Sequence, residues 1–506
     1  MSAHLLLVLP LLVPLCGAIV CLLFWRLERW QALVSGFTQI TWLGSTIFLL
    51  KRIITDKAIS TQIGSWSAPF GITLVADTFS ALVLLAAALV GLAVFLFSVY
   101  GLDKSRQRYG YFPLMLFLQV GVGGVCLTGD LFNLYVWFEV ILICCFALLS
   151  LGGTKPQLEG ALKYVTINFI ASGLLLTGIG VVYSLFGALN LAELALIVRE
   201  GTHLNLPLLS MASVFFLTGF GIKAAIFPMF FWLPASYHTS PIAISAFIAG
   251  LITKVGIYTL IRLFTLVFIT DQTFMMPLMA ILSGATMVVG VIGAAAQNDF
   301  RRILSFHIIS QIGYMLMGLA IYTPLAIAGS IFFIIHNILV KTNLFLVSGV
   351  VAQYHRTFQL PRLGGVYLQQ PFIALLFFVS ALSLAGTPPL SGFWGKFMLA
   401  KAGFEAGNYL LVTTSLGVSL VTLFSMTKIW NEVFWKSKPR KPSTSILLTQ
   451  SDRLRIALLY VPVVFLLCCI LAIGVYAGPL IELAMRASQD LLHIETYTDT
   501  VLGKAR

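Results

Sequence analysis

Apolar residues fill the chain in long blocks, and short polar stretches carrying most of the charges separate them. About 20 apolar residues in an α-helix cross a bilayer core, so each block reads as a membrane span. The pattern predicts spans near 4–25, 31–51, 75–101, 111–128, 131–150, 161–187, 207–234, 240–266, 274–294, 301–321, 326–350, 371–403, 407–435 and 456–483. Met1 to Phe24 has the length of a signal peptide, but it lacks a basic n-region and a cleavage site and is read as the first span. The leucine-rich segment Leu189–Asn205, with Glu193 and Glu200, is too polar to cross and predicts a short amphipathic helix on the outer surface.

The seventh predicted span contains Pro228 and Pro234, and the twelfth contains Gly386-Thr387-Pro388-Pro389 and Ser391-Gly392. Proline removes a helical hydrogen bond, so both helices should break there. Irregular backbone at membrane depth persists only inside protein or beside water, and paired broken helices mark a transport path. The two halves also correspond. Asp130 opens the fifth span and Asp299 the tenth, while Lys223 follows the first by 93 residues and Lys396 the second by 97. Five spans separate the two units, and an odd number gives them opposite orientations. The fold class expected is therefore an all-α polytopic membrane protein of about fourteen helices with two inverted five-helix repeats. Its parts would be 1–110 (spans 1–3), 111–266 (first repeat), 274–435 (second repeat) and 436–506 (basic loop, last span and tail).

Composition agrees. Only 10% of the 506 residues are charged and 59% are hydrophobic, against about 25% charged in a soluble domain. The net charge of +13 would suggest nucleic acid in a soluble chain. Here it reflects basic residues collecting in cytoplasmic loops. Loops after odd-numbered spans hold Arg26, Arg29, Lys104, Arg106, Arg108, Lys155, Arg301, Arg302, Arg356, Arg362, Lys436, Lys438, Arg440, Lys441, Arg453 and Arg455, whereas the others hold few. That places both termini outside. The seven cysteines lie in apolar runs without metal-ligand spacing. No haem, iron–sulfur or nucleotide motif occurs, so no cofactor is expected.

Against this apolar background several ionisable residues stand inside spans: Glu139, Lys223, Lys254, His336, Lys341 and Lys396, with His307 and Gln311 one turn apart on the tenth. Each costs about 2.5–3.5 kcal/mol at the bilayer centre even on the lenient insertion scale. A lysine in a low-dielectric site can release and regain its proton near neutral pH, and a nearby carboxylate favours its charged form. Movement of charge near Glu139 would therefore switch Lys223, and the histidines could relay between lysines. A single Lys–Glu pair could equally be a clamp between helices, and His307 an ordinary hydrogen-bonded core histidine. The set as a whole argues for a path.

The runs TGDLFNLYVWFEV, GFGIKAAIFPMFFWLPASYHTSPIAISAFIAGLITKVGIY, RRILSFHIISQIGYM and GTPPLSGFWGKF resemble the proton-translocating antiporter family. That family comprises antiporter-like membrane subunits of respiratory complex I, membrane-bound hydrogenases and Mrp-type sodium/proton antiporters. Within it the resemblance is strongest to the D-type branch of Mrp subunits. It covers about residues 75–435. It implies fourteen helices with inverted repeats, and a relay formed by Glu139 and Lys223, then Lys254, His336 and Lys341, and Lys396. It also implies work in a hetero-oligomer of a bacterial inner membrane, exchanging protons for a cation, sodium in the Mrp case. The other readings are a component of a redox-driven pump, or a structural scaffold.

Overall fold

The structure is a computed structural model that describes residues 3–201, 205–437 and 450–503. Lys438, Arg440 and Lys441 of the expected basic loop lie outside the described residues.

Among the described residues thirteen helices are long and apolar enough to cross a membrane. The first to sixth are His4–Leu23, Glu28–Asp56, Thr78–Gly101, Lys104–Leu127, Leu131–Ser150 and Lys155–Phe186. The seventh to eleventh are Leu206–Ala224, Ile242–Leu266, Gln272–Ala296, Phe300–Ile321 and Pro324–His355. The expected twelfth span is a pair of shorter helices, Pro371–Ala385 and Ser391–Glu405, and Tyr409–Trp435 and Leu454–Val475 follow. The chain is a multi-pass membrane protein.

Polar residues at the block ends start the helices as capping chemistry requires. Asp77 accepts from the Ser80 amide at 2.9 Å while the Ser80 hydroxyl accepts from the Asp77 amide, a capping box opening the third span. Asp130, Asp299 and Thr323 cap the fifth, tenth and eleventh through Asn133, Arg301 and Ala326.

The eighth, tenth and eleventh spans are buried almost throughout and form the centre. The eighth packs on the third, seventh, tenth and eleventh. Two glycines permit its closest approaches. A Cβ on Gly256 would stand 3.1 Å from the Ala224 backbone nitrogen, and one on Gly250 would meet the Thr342 hydroxyl at 2.2 Å. The seventh, eighth and eleventh helices thus meet close to Lys223, Lys254 and Lys341.

The breaks differ in detail from the proline-centred expectation. The seventh helix ends at Ala224, before the first proline, and Ala225 takes a left-handed conformation (φ 62°). The amides of Ala225 and Ile226 donate to Ile222 O (3.0 Å) and Gly221 O (2.8 Å). Gly386 (φ 93°) repeats the arrangement, with Gly386 and Thr387 donating to Ser383 O and Leu382 O, both at 3.2 Å. Each break is a Schellman turn, and the prolines follow it. Freed backbone groups find partners. The Trp232 indole donates to Ile222 O (3.0 Å), and the Phe227 amide to the Thr286 hydroxyl (3.0 Å). This is how non-helical backbone is tolerated at such depth.

A second correspondence joins the halves. Leu131 and Leu191 amides donate to Leu189 O and Gly129 O, all at 2.9 Å. Phe300 and Leu360 amides donate to Phe358 O and Asn298 O at the same distance, 169 residues further on in every case. The capping threonines 154 and 323 are also 169 apart, and each opens a 32-residue helix. Asn168 and Asn337, at that offset again, both donate to the carbonyl four residues back.

Three expectations need correction. The third span starts after an antiparallel hairpin, Ala58–Gln62 with Thr73–Asp77, whose second strand is apolar and merges with the helix in hydropathy. The last span stops at Val475, and an amphipathic helix, Ala477–Leu492, replaces the predicted 476–483 portion. The 189–205 segment does form a helix, Leu191–Glu200, but its apolar face is covered rather than lying on an open surface. Arg199 reaches Glu495 of the C-terminal helix at 2.6 Å.

Arg262 near the end of the eighth span binds Asp77 through both guanidinium nitrogens, at 2.6 and 2.8 Å, beneath the Tyr497 ring. Both side chains are buried. Removing one member of such a pair strands a charge, costing about 3–5 kcal/mol. Asp77→Asn should therefore lower the thermal unfolding midpoint of the purified protein sharply. Adding Arg262→Leu to Asp77→Asn, which keeps a capping side chain at 77, should recover most of the loss.

Candidate functional site

The chain places most of its in-span ionisable groups in two clusters, one in each half. In the first, Lys223 is 4% exposed on the seventh span, two residues before the left-handed turn. Glu139 of the fifth span is 22% exposed, with Oε1 3.9 Å from Lys223 Nζ. Between them stands Ser172 of the sixth span. Its Oγ accepts from Lys223 Nζ at 3.2 Å and donates to Glu139 Oε1. The Phe138 ring lies 5.4 Å from the ammonium.

The second cluster surrounds the second break. Lys396 lies ten residues past Gly386 yet folds back onto it. Its Nζ donates to Ala385 O (2.9 Å), Leu384 O (3.4 Å) and Ser419 Oγ (3.1 Å). These carbonyls end the Pro371–Ala385 helix, where the backbone dipoles favour a cation. Lys223 and Lys396, unequal in sequence position, both sit at a break. Tyr314 lies under the Lys396 ammonium (4.7 Å) and shares Ser419 at 2.8 Å. His336 Nδ1 meets Ser391 Oγ at 2.8 Å, and Ser391 in turn meets Ser383 at 3.0 Å.

Lys254 and Lys341 stand on the eighth and eleventh helices, which pack against each other. Both are fully buried. Lys254 Nζ donates to Ala249 O at 2.6 Å. Lys341 is within electrostatic reach of Lys254 and Lys396 but has no hydrogen-bond partner among the described protein groups. The same holds for both amide atoms of Gln311, His307 Nδ1, His336 Nε2 and the side-chain oxygens of Asn337 and Asn343. His307 is held by Ser425 through Nε2. Lys254, Lys341 and Lys396 take part in no ion pair among the described residues.

The structure therefore assembles Glu139 with Lys223 and groups His336, Lys341 and Lys396, with His307, held by Ser425, near the same two lysines. Sequence reasoning missed Ser172, Ser391, Ser419 and Tyr314. Only Tyr314 carried a signal, since His307, Gln311 and Tyr314 fall on one helical face at i, i+4 and i+7. Hydroxyls are too common in helices for spacing to single out the rest. Among the described residues no group of three or more His, Cys, Asp or Glu is arranged to hold a metal ion.

A multi-pass helical protein with broken spans and a buried row of titratable groups is of the ion-translocating class. Residues 128–422 match the family described as "NADH:quinone oxidoreductase/Mrp antiporter, TM", and the chain belongs to that family. It is 42% identical over 497 residues to the D subunit of the Na(+)/H(+) antiporter of Alkalihalophilus pseudofirmus, covering 98% of this chain and 99% of the relative. To the D subunit of the Bacillus subtilis Na(+)/H(+) antiporter it is 38% identical, with the same coverage. A chain in the structure of the Mrp complex from Dietzia superposes with a TM-score of 0.91 at 29% identity, covering 99% of this chain and all of that one. A chain of the archaeal membrane-bound sulfane sulfur reductase shares the fold, with a TM-score of 0.89 at 23% identity.

The three hydrogen bonds of Lys396 make it a local fastener as well as a charge. Hydrogen bonds to charged groups contribute about 1.5–3 kcal/mol each, and the cost of burying this ammonium without a counter-charge offsets most of their sum. Lys396→Ala should lower the unfolding midpoint of the purified protein, by less than Asp77→Asn does, and leave it folded.

Proposed function

We propose that the chain is the proton-conducting D-type member of a multi-subunit sodium/proton antiporter in a bacterial inner membrane. The observation that carries this reading is the succession of buried titratable groups from Glu139 to Lys396, running across the two halves at membrane depth. Glu139, Lys223, Lys254, His336, Lys341 and Lys396 form the relay, and His307 with Gln311 and Tyr314 flanks its second half. Protons enter or leave beside Glu139, the partly exposed carboxylate of the row, pass the eighth and eleventh helices, and exchange with the other side near Lys396. The proton-motive force drives the exchange.

The halves are inverted five-helix repeats, 111–266 and 274–435. The constant 169-residue offset of the bridging hydrogen bonds and the paired Schellman turns support this. Loops after odd-numbered spans face the cytoplasm, and both termini face outward. Sodium binds elsewhere in the complex or at a shared interface, a reading supported by the absence of a carboxylate cluster that would cage a cation among the described residues. The fold is shared with chains of redox complexes, but the relatives at 42% and 38% identity carry antiporter names, and those favour exchange.

The test is sodium-dependent proton exchange in everted vesicles from an antiporter-deficient host carrying the whole operon, with assembly followed on native gels. Wild type should exchange, while Lys223→Ala and Lys396→Ala should assemble and exchange nothing. Loss of assembly with Lys223→Ala would favour a scaffold. A wild-type operon without exchange would favour a redox-driven pump.

A further inference from the structure

Ser172 lies between Glu139 and Lys223 and is hydrogen-bonded to both. A serine in a helix commonly returns its hydroxyl to the carbonyl three or four residues back. On this same helix Thr177 donates to Gly173 O (2.9 Å) and Ser184 to Val181 O (2.9 Å). Ser172 does not. Its hydroxyl proton goes to Glu139 and its lone pair to the Lys223 ammonium. The direct separation of the two charges is 3.9 Å, beyond hydrogen-bonding range, so the serine is the contact between them.

The position has a second distinction. At the 169-residue offset that matches the bridging hydrogen bonds, the capping threonines and the asparagines, Ser172 corresponds to Lys341. The same place on the long helix of each half therefore carries a group able to pass a proton. Lys341 is buried and without a protein partner among the described groups, and Ser172 is buried between an acid and a base.

We infer that Ser172 is a relay residue, its hydroxyl the bridge through which the proton passes between Lys223 and Glu139. The inference rests on the proton-conducting reading above. In the forward hop a Lys223 N–H bond breaks and an O–H bond forms on Ser172. The original Ser172 O–H bond breaks as one forms on Glu139 Oε1. One proton has moved, ammonium and carboxylate have become amine and acid, and the serine is regenerated with its hydrogen reversed. Rotation of the hydroxyl resets it. No oxidant or reductant is needed.

The experiment uses the complete complex with Ser172→Ala and Ser172→Thr beside wild type, and assembly is checked on native gels. The first readout is sodium-dependent proton exchange in vesicles. The second is the infrared carbonyl band of protonated Glu139 in the purified complex, assigned by its loss in Glu139→Gln. Ser172→Ala should assemble, slow exchange by at least about tenfold, as expected for loss of its two charge-assisted hydrogen bonds, and move the band to higher frequency. Ser172→Thr, which keeps the hydroxyl, should retain most of the exchange and leave the band in place. Wild-type exchange in Ser172→Ala would overturn the inference, and so would an unmoved band. If the wild-type complex exchanges no sodium for protons, the antiporter reading fails, and the band alone decides the bridge.

Discussion

Polar atoms placed where water is scarce cost free energy, and the backbone of this chain answers that cost with helices, whose hydrogen bonds are internal. At the two breaks, where the internal bonds stop, the protein supplies specific substitutes. Trp232 and Thr286 serve the first break, and the Lys396 ammonium serves the second. Function is built from those same departures. A helix interrupted at mid-depth exposes carbonyl dipoles to the interior, and those dipoles make a place for a cation that the rest of the bilayer core would reject.

The two halves use one plan with different chemistry. The first pairs an acid with a base through a hydroxyl. The second lacks the acid: the position 169 residues after Glu139 is Ile308, and that after Ser172 is Lys341. Charge introduced at Glu139 and Lys223 is therefore balanced locally, whereas charge arriving at Lys341 or Lys396 is held by carbonyls, hydroxyls and the Tyr314 ring.

The spans, caps and buried charges were legible in the sequence because each rests on a strong local rule. Fourteen apolar blocks, Asp130 and Asp299 at helix starts, and lysines inside apolar runs all stand out against their neighbours. The second break falls where its motif begins, at Gly386, whereas the first was set at the prolines although the turning residue is Ala225. The hairpin at Thr73–Asp77 and the amphipathic Ala477–Leu492 helix escaped because hydropathy averages cannot separate a strand from the helix it enters, or see a half-apolar helix. Ser172 escaped for a deeper reason. A hydroxyl gains significance only from what faces it, and both of its partners lie on other helices.

The central claim is that one path runs through both halves by way of the eighth and eleventh helices. Lys254→Met tests it most directly, because it leaves Glu139, Lys223 and Lys396 untouched. In proteoliposomes holding the purified complex under an imposed sodium gradient, the account predicts that this substitution stops proton movement while assembly persists. Proton movement at the wild-type rate would contradict it, and would mean that each half conducts on its own.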